Sequence, residues 1–179
     1  RDRLLPALVE GLGDIAAGNL TITPARQKEV DFCDPHLTGV DEIIITGSAA
    51  PPIKSIEDLS GKEIHVRKSS SYYESLIHLN DRFKKSGQAP IKIVPADEYL
   101  EDEDLLEMMN VGLIPMTVID SHKGAFWSKI FQDLTLHPDI KLRSGGEIGW
   151  AIRKESPKLR EIITAFIKSH KKGTLLGNI

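Results

Sequence analysis

The sequence has little of what several classes of protein require. One cysteine, Cys33, in 179 residues excludes an intramolecular disulfide and a multi-cysteine metal site. No apolar run approaches the roughly 18 residues of a membrane-spanning helix. Basic residues (23) do not exceed acidic ones (26), so charge gives no argument for nucleic-acid binding. Phe32 and Asp34 offer Cys33 no base, and we interpret it as a buried packing residue.

Catalytic and metal-binding motifs are also missing. The six histidines show neither His-Glu-x-x-His nor any close metal-ligand spacing, and we interpret them as surface or packing residues. Gly145-Gly146 lacks the helix and the lysine of a phosphate loop, which predicts an ordinary turn. No Gly-x-Ser-x-Gly nucleophile motif occurs. We therefore expect no metal and no cofactor.

Short β-branched runs alternate with helical stripes along the chain, which predicts an α/β fold with mostly parallel sheets. A strand is predicted over 14–17, ending in Gly18-Asn19, with others over 63–66, 117–120 and 148–153. The last helix is predicted to bury Leu159, Ile162, Ile163, Phe166 and Ile167. Gly47–Pro52 is the clearest linker. It predicts a first lobe of residues 1–47 and 149–179 and a second lobe of residues 48–148.

Polar residues stand at three predicted junctions between a strand and a helix. At the first junction, Thr23 and Pro24 suit the N-cap and first helical positions, which places Arg26 in the first turn. At the third, Asp120 ends a strand. The candidate ligand-binding residues of the three junctions are Asn19, Thr21 and Arg26, then Arg67, Ser69, Ser70 and Ser71, and finally Asp120.

These side chains suit a ligand that carries both charges. An arginine fork binds a carboxylate with two hydrogen bonds, and a serine-rich helix start offers further donors from the opposite side. Asp120 would pair with an ammonium group. Together they predict a cleft for an α-amino acid or the end of a small peptide.

Each junction also has a simpler interpretation. The serine run is equally typical of a plain N-cap. Arg26 could form a surface ion pair with Glu29 or Asp31, and Asp120 could only cap the next helix. The acidic run over 101–104 is predicted to be a solvated helix start that suits the helix dipole.

The segments 11–26 and 30–35 carry the pattern Gly-x-x-Asp-x-x-x-x-x-x-Thr-x-Thr-x-x-Arg, with Val-x-Phe and Pro. This pattern and Ser55–Lys62 resemble the family 3 extracellular solute-binding proteins, which have the type II periplasmic-binding fold. The resemblance implies that Arg26 holds the ligand carboxylate, that Thr21 and Asn19 add hydrogen bonds, that Ser70 and Ser71 face the ligand from the second lobe, and that Asp120 takes the amino group. Arg67 stands where some members have a ligand-touching lysine.

Three further segments, 103–115, 149–153 and 170–178, resemble the binding module of F-type membrane-bound lytic transglycosylases. In those proteins a catalytic muramidase-like domain follows the module, so a longer chain would carry that domain as its C-terminal partner. Family members begin with a strand, a helix and a strand before the segment that opens here. We therefore expect the first lobe to be incomplete at its N-terminus.

The resemblance implies a non-catalytic periplasmic module that closes by a hinge on an amino acid or a peptidoglycan-derived peptide and regulates a lytic enzyme. One alternative is the receptor of an amino-acid ABC transporter. Another is a dehydratase of cyclic acids on the same fold, with Asp120 and His122 as candidate acid or base. A small-molecule ligand is expected in each case, with no nucleic acid and no membrane span in this segment. The parent is expected to be periplasmic or extracytoplasmic, either free or membrane-associated.

Overall fold

The computed structural model describes residues 1–170, 173–175 and 177. The segment 170–178 that contributed to the resemblance therefore lies partly outside the described residues. The chain divides into two compact units, unit 1 with Arg1–Gly39 and Gly145–Ile179 and unit 2 with Val40–Ser144. The predicted lobe boundaries, after residues 47 and 148, lie further along the chain than the unit boundaries, which fall after residues 39 and 144.

Unit 1 is built from short elements. The helices α1 (Leu4–Val9), α2 (Pro24–Glu29) and α6 (Pro157–His170) accompany the strands β1 (Ile15–Thr21) and β2 (Asp31–Phe32). The strand β7 (Thr135–Ile152) enters unit 1 from unit 2, and its last residues pair antiparallel with both β1 and β2.

The predicted end of the first strand at Gly18-Asn19 is wrong. In β1, Ala16 is opposite Ala151 and Leu20 is opposite Gly149, so the strand continues past an irregularity between Ala16 and Leu20. Asn19 lies there with a φ of 55°, a left-handed conformation that asparagine tolerates better than most residues. The turn residues thus bend the strand and do not end it, and pairing resumes through Thr21.

Unit 2 contains most of β3 (Leu37–Thr46) and the first part of β7. Between them come a 3₁₀ turn (Glu57–Leu59), β4 (Glu63–Val66), α3 (Ser71–Lys85), β5 (Lys92–Pro95), α4 (Asp102–Asn110), β6 (Met116–Asp120) and α5 (Ser121–Trp127). The strand order in this unit is β7-β3-β6-β4-β5. Among the described residues, no helix is both long and apolar enough to cross a membrane.

The α/β fold class is confirmed, but the sheet is mixed and not mostly parallel. β4 pairs parallel with β5 and β6, whereas β3 pairs antiparallel with β6, as β1 and β2 do with β7. The strand predicted over 148–153 is the end of the longer β7, which contains the predicted turn Gly145-Gly146. Gly145 has a φ of 65°, which is a local break in an otherwise extended segment.

The central strands of unit 2 are buried on both faces. Ile44 on β3 and Val118 on β6 belong to a core that packs on α3, whereas Ile43, Ile45 and Ile119 belong to a second core with residues of α4. Because side chains alternate along a strand, Glu42 and Asp120 lie on the α3 face with Ile44 and Val118. This alternation brings two acidic residues into the interior of unit 2.

The last helix buries less than its pattern predicts. Ile163 and Ile167 form a small core with Cys33 and Ile152, so the interpretation of Cys33 as a packing residue is confirmed. Ile162 and Phe166 are exposed, contrary to the prediction. Burial also raises the pKa of the Cys33 thiol above its usual value.

The linker glycine Gly47 supports a test of packing in unit 2. A Cβ at Gly47 would lie 2.5 Å from the backbone oxygen of Met109 at the end of α4, closer than real contacts allow. We therefore expect Gly47→Ala to lower the free energy of unfolding by about 1–3 kcal/mol in urea denaturation. Gly13→Ala, where the added Cβ meets nothing within 4 Å, is the matched control. Equal stability of the two variants would contradict the packing argument.

Candidate functional site

The first junction is organised by a capped helix start. Thr23 is the N-cap of α2, its hydroxyl accepts a hydrogen bond from the N–H of Arg26 at 3.3 Å, and Pro24 occupies the first turn, as predicted. The Nη1 of Arg26 donates to the carbonyl oxygen of Thr21 at 2.8 Å. This bond orients the half-buried guanidinium, and it brings Arg26 and Thr21 together in unit 1. Asn19 lies two residues before Thr21 on β1.

The second junction is the start of α3 in unit 2. Ser70 is the N-cap, since its hydroxyl accepts from the N–H of Tyr73 at 3.2 Å and donates to the carbonyl oxygen of Arg67 at 2.7 Å. Ser69 binds the Glu98 carboxylate through its N–H at 3.1 Å and its hydroxyl at 2.6 Å. The simple N-cap interpretation therefore applies to Ser70.

Arg67 is committed to a buried ion pair. Its Nη2 lies 2.7 Å from Oδ1 of Asp102, its Nη1 donates to the carbonyl oxygen of Leu100, and only 6% of its surface is exposed. Lys123 binds the other oxygen of Asp102 at 2.6 Å. The carboxylate of Asp102 thus joins the end of β4, the start of α4 and the start of α5.

This ion pair corrects the interpretation of the acidic run over 101–104 as a solvated helix start. Asp102 is buried, and Asp104 closes a capping box by accepting from the N–H of Glu101 at 2.7 Å. The run therefore supplies one buried charge and one helix cap. The local sequence is equally consistent with an exposed helix start. Only the contacts of Asp102 with Arg67 and Lys123, which are distant in sequence, distinguish a buried charge from a solvated one.

Tyr72 connects the ion pair to the third junction. Its hydroxyl accepts a hydrogen bond from the N–H of Asp120 at 3.1 Å and lies 3.4 Å from Oδ2 of Asp102. Complete burial next to these carboxylates raises the pKa of Tyr72 well above its usual value, so the phenol stays neutral. In the sequence, Tyr72 stands at helical spacing with Leu76, Leu79 and Phe83, which predicts only a packing role for it.

Asp120 ends β6 with its carboxyl group inside unit 2. The residue is 2% exposed, and its Oδ1 has no hydrogen-bond partner among the residues that the structure describes. Burial raises the pKa of Asp120 to about 6; the Lys123 charge opposes this rise, and the Asp102 and Glu42 charges add to it. Oδ1 of Asp120 is therefore a buried acceptor without a donor among the described residues, although a hydrogen bond between the Tyr72 side chain and the carboxyl group also opposes the rise in pKa.

The eight predicted site residues are thus divided between the two units. Asn19, Thr21 and Arg26 lie in unit 1, and Arg67, Ser69, Ser70, Ser71 and Asp120 lie in unit 2. Within the described part of the chain, no group of three or more histidine, cysteine, aspartate or glutamate side chains could hold a metal ion.

With this geometry in view, comparison with known proteins defines the class. The model of family 3 of the bacterial extracellular solute-binding proteins matches residues 1–179. The chain belongs to that family, which confirms the resemblance seen in the sequence. The solved structure of an ancestral arginine-binding protein bound to arginine superposes with a TM-score of 0.76 at 27% identity, covering 96% of this chain and 72% of that one.

Among characterised relatives, the chain is similar to membrane-bound lytic murein transglycosylase F. It is 32% identical over 178 residues to that of Ectopseudomonas mendocina, with 96% of this chain and 35% of the relative covered. It is 28% identical over 144 residues to that of Saccharophagus degradans, with 80% and 27% covered. The chain therefore spans about a third of the length of these relatives.

The buried ion pair gives a prediction for Arg67. We expect Arg67→Met to lower the free energy of unfolding by about 3–5 kcal/mol, because Asp102 loses one of its two cations in a buried position. Urea denaturation measures the change. Arg82→Met on the exposed side of α3 is the control and should change stability little. A loss of less than 1 kcal/mol for Arg67→Met would mean that the pair is not structural.

The buried carboxyl group of Asp120 gives a pH dependence. Its pKa is raised from 3.8 to about 6 in the folded state, so the group stabilises folding below pH 3.8, and this contribution is lost as pH rises through 6. At 1.36 kcal/mol per unit of pKa, the loss is about 3 kcal/mol. We therefore expect the stability of Asp120→Asn relative to that of the wild type to increase by about that much as the pH is raised from 4 to 8. A stability difference that stays constant over this range would contradict the shift.

Proposed function

We propose that this chain is a binding module for an amino acid or a small peptide and does no catalysis of its own. The observation that carries the proposal is the buried Oδ1 of Asp120, an acceptor without a hydrogen-bond donor in unit 2. Leaving such a group unpaired costs free energy that a ligand ammonium would return. Membership of a solute-binding family and similarity to arginine-binding and glutamine-bound structures support the same ligand class.

The ligand carboxylate is assigned to Arg26. Its guanidinium is already oriented by the carbonyl oxygen of Thr21, so little side-chain freedom is lost on binding. Thr21 and Asn19 would add polar contacts from the irregular part of β1. In unit 2, Ser71 and N–H groups of the first turn of α3 would offer donors. Ser70 would have to exchange its present hydrogen bond to the Arg67 carbonyl oxygen for one to the ligand.

The roles of Arg67 and Ser69 in binding are weaker proposals. Arg67 is held by Asp102 and Ser69 by Glu98, so each would have to contact the ligand in addition to its present partner.

Because Arg26 and Asp120 lie in different units, a ligand that binds both would favour the conformation in which both contacts are made. Hinge closure of this kind is the mechanism we propose for signalling occupancy.

For the parent protein we propose a periplasmic, membrane-associated lytic transglycosylase in which this module binds a peptidoglycan-derived peptide and regulates the enzyme. Similarity to the transglycosylase F relatives supports this role over that of a transport receptor. The gene distinguishes the two. A muramidase-like domain encoded in frame after Ile179 is expected, whereas a stop codon and a neighbouring transporter operon would favour the receptor.

Binding is tested by calorimetry on the wild-type chain with the twenty amino acids and with purified muropeptides. We expect Arg26→Ala and Asp120→Asn each to weaken the ligand found by about 3 kcal/mol, roughly a hundredfold, because each leaves a ligand charge unpaired. Lys28→Ala, on the exposed side of the same helix as Arg26, should leave the affinity unchanged. If neither Arg26→Ala nor Asp120→Asn weakens binding, the assignment is wrong. Turnover of a prephenate-like acid would instead support a dehydratase.

A further inference from the structure

A second buried carboxylate faces Asp120 from the neighbouring strand. Glu42 on β3 is directly opposite Asp120 on β6 in the antiparallel pairing. Glu42 is 1% exposed and Asp120 is 2% exposed. Residues directly opposite in such a pair present their side chains on the same face, here the face covered by α3. Unit 2 therefore buries two carboxyl groups side by side.

The partners of Glu42 leave part of its charge uncompensated. Its Oε2 accepts a hydrogen bond from the Ser75 hydroxyl at 2.5 Å. Its Oε1 has no hydrogen-bond partner in the described part of the chain, although Nε of Arg143 lies 3.4 Å away. Arg143 is shared, because its Nη2 also lies 3.8 Å from the Glu74 carboxylate.

Lys123, the cation whose charge acts on Asp120, is bound to a different carboxylate. Arg67 and Lys123 both make their closest contacts with Asp102, at 2.7 and 2.6 Å. Tyr72 supplies its hydroxyl oxygen as an acceptor for the Asp120 N–H and remains neutral. Asp120 itself has no ion-pair partner among the residues described. The cheapest compensation for a second buried negative charge beside Glu42 is then a proton.

We propose that Glu42 makes ligand binding an exchange of cations: together with burial and Asp102 it favours the protonated form of Asp120 in the empty protein, and in mildly acidic solution the ligand ammonium replaces that proton. This inference rests on the proposed function for the identity of the incoming group. The exchange balances, because the neutral acid of Asp120 loses its proton to the buffer, and the carboxylate left behind pairs with the ammonium. Glu42 acts through Asp120 and is a positioning residue.

The first test needs no ligand. Carbon-detected NMR of the aspartate carboxyl groups follows Asp120 in the empty 179-residue chain, with Asp120→Asn to assign its signal. The wild-type group should titrate near pH 6, where burial, Asp102 and Glu42 place its pKa against the opposing charge of Lys123. In Glu42→Gln the midpoint should fall by roughly one unit, since a like charge is removed while the Ser75 hydrogen bond can persist.

Two further variants are controls for the charge and the position of Glu42. Glu42→Asp retains the charge and should keep the midpoint of Asp120 raised. Glu74→Gln removes the other carboxylate that contacts Arg143 but does not lie opposite Asp120, and it should leave the midpoint in place. An unchanged midpoint in a folded Glu42→Gln chain overturns the proposal, as does an equal shift in Glu74→Gln.

The second test measures the proton itself, with L-arginine as the first probe and L-glutamine as the second. Calorimetry in buffers of different ionisation enthalpy should show about half a proton released per ligand at pH 6 and most of one at pH 5. Because only the ionised form binds, affinity should rise about tenfold from pH 5 to pH 7. In Glu42→Gln both effects should shrink.

The outcomes of this second test are distinct. Binding without proton release at pH 5 overturns the exchange and leaves the proposed function standing. If neither these probes nor the remaining amino acids and muropeptides bind to the wild type, the proposed function fails and the exchange with it. Under that result, the NMR midpoint would still report whether Glu42 and Asp120 interact.

Discussion

A carboxylate that leaves water must be matched by a cation, by hydrogen-bond donors or by a proton, and the interior of unit 2 depends on this constraint. Asp102 meets it in full, with Arg67 on one oxygen and Lys123 on the other. That double pairing joins the ends of β4, α4 and α5. Asp120 lies near enough for the charges of Lys123 and Asp102 to act on it but has no ion-pair partner among the residues described. Arg67 and Lys123 thus neutralise Asp102, whereas Oδ1 of Asp120 has no hydrogen-bond donor among the residues described.

How much of the fold follows from the sequence depends on how local the signal is. The strand over 63–66 and the helix after Ser70 were predictable because alternation, an N-cap and an apolar stripe all lie within a few residues. The first half of β7 was not, because it is partly exposed and contains Pro138, which a central strand disfavours. Its strand conformation comes from pairing in the sheet. The same holds for β1, which resumes its pairing with β7 after Asn19.

The candidate site shows the same division. The Thr23 cap and the position of Arg26 follow from four neighbouring residues, and the structure has them as expected. The partners of Arg67 and Asp120 come from residues far along the chain, and no local pattern marks them: Asp102 is 35 positions from Arg67 in sequence. Asp102 therefore looked like a solvated charge. Glu42 was hidden for a different reason, since one acidic residue at the start of an apolar strand is typical of a strand end.

Glu42 and Asp120 are buried acidic residues on β3 and β6, two strands whose neighbouring buried residues form apolar cores. Departures of this kind are expected where function demands them, because a sequence selected for stability alone would place apolar residues or a matched pair there. A stabilising role does not explain the arrangement, since Asp120 lowers stability above pH 6 as its proton is lost. A ligand ammonium would remove that cost only in the occupied state. In the empty module the Asp120 carboxyl group is neutral only while it holds its proton, so the free energy that its ionisation costs the fold is available to a ligand cation.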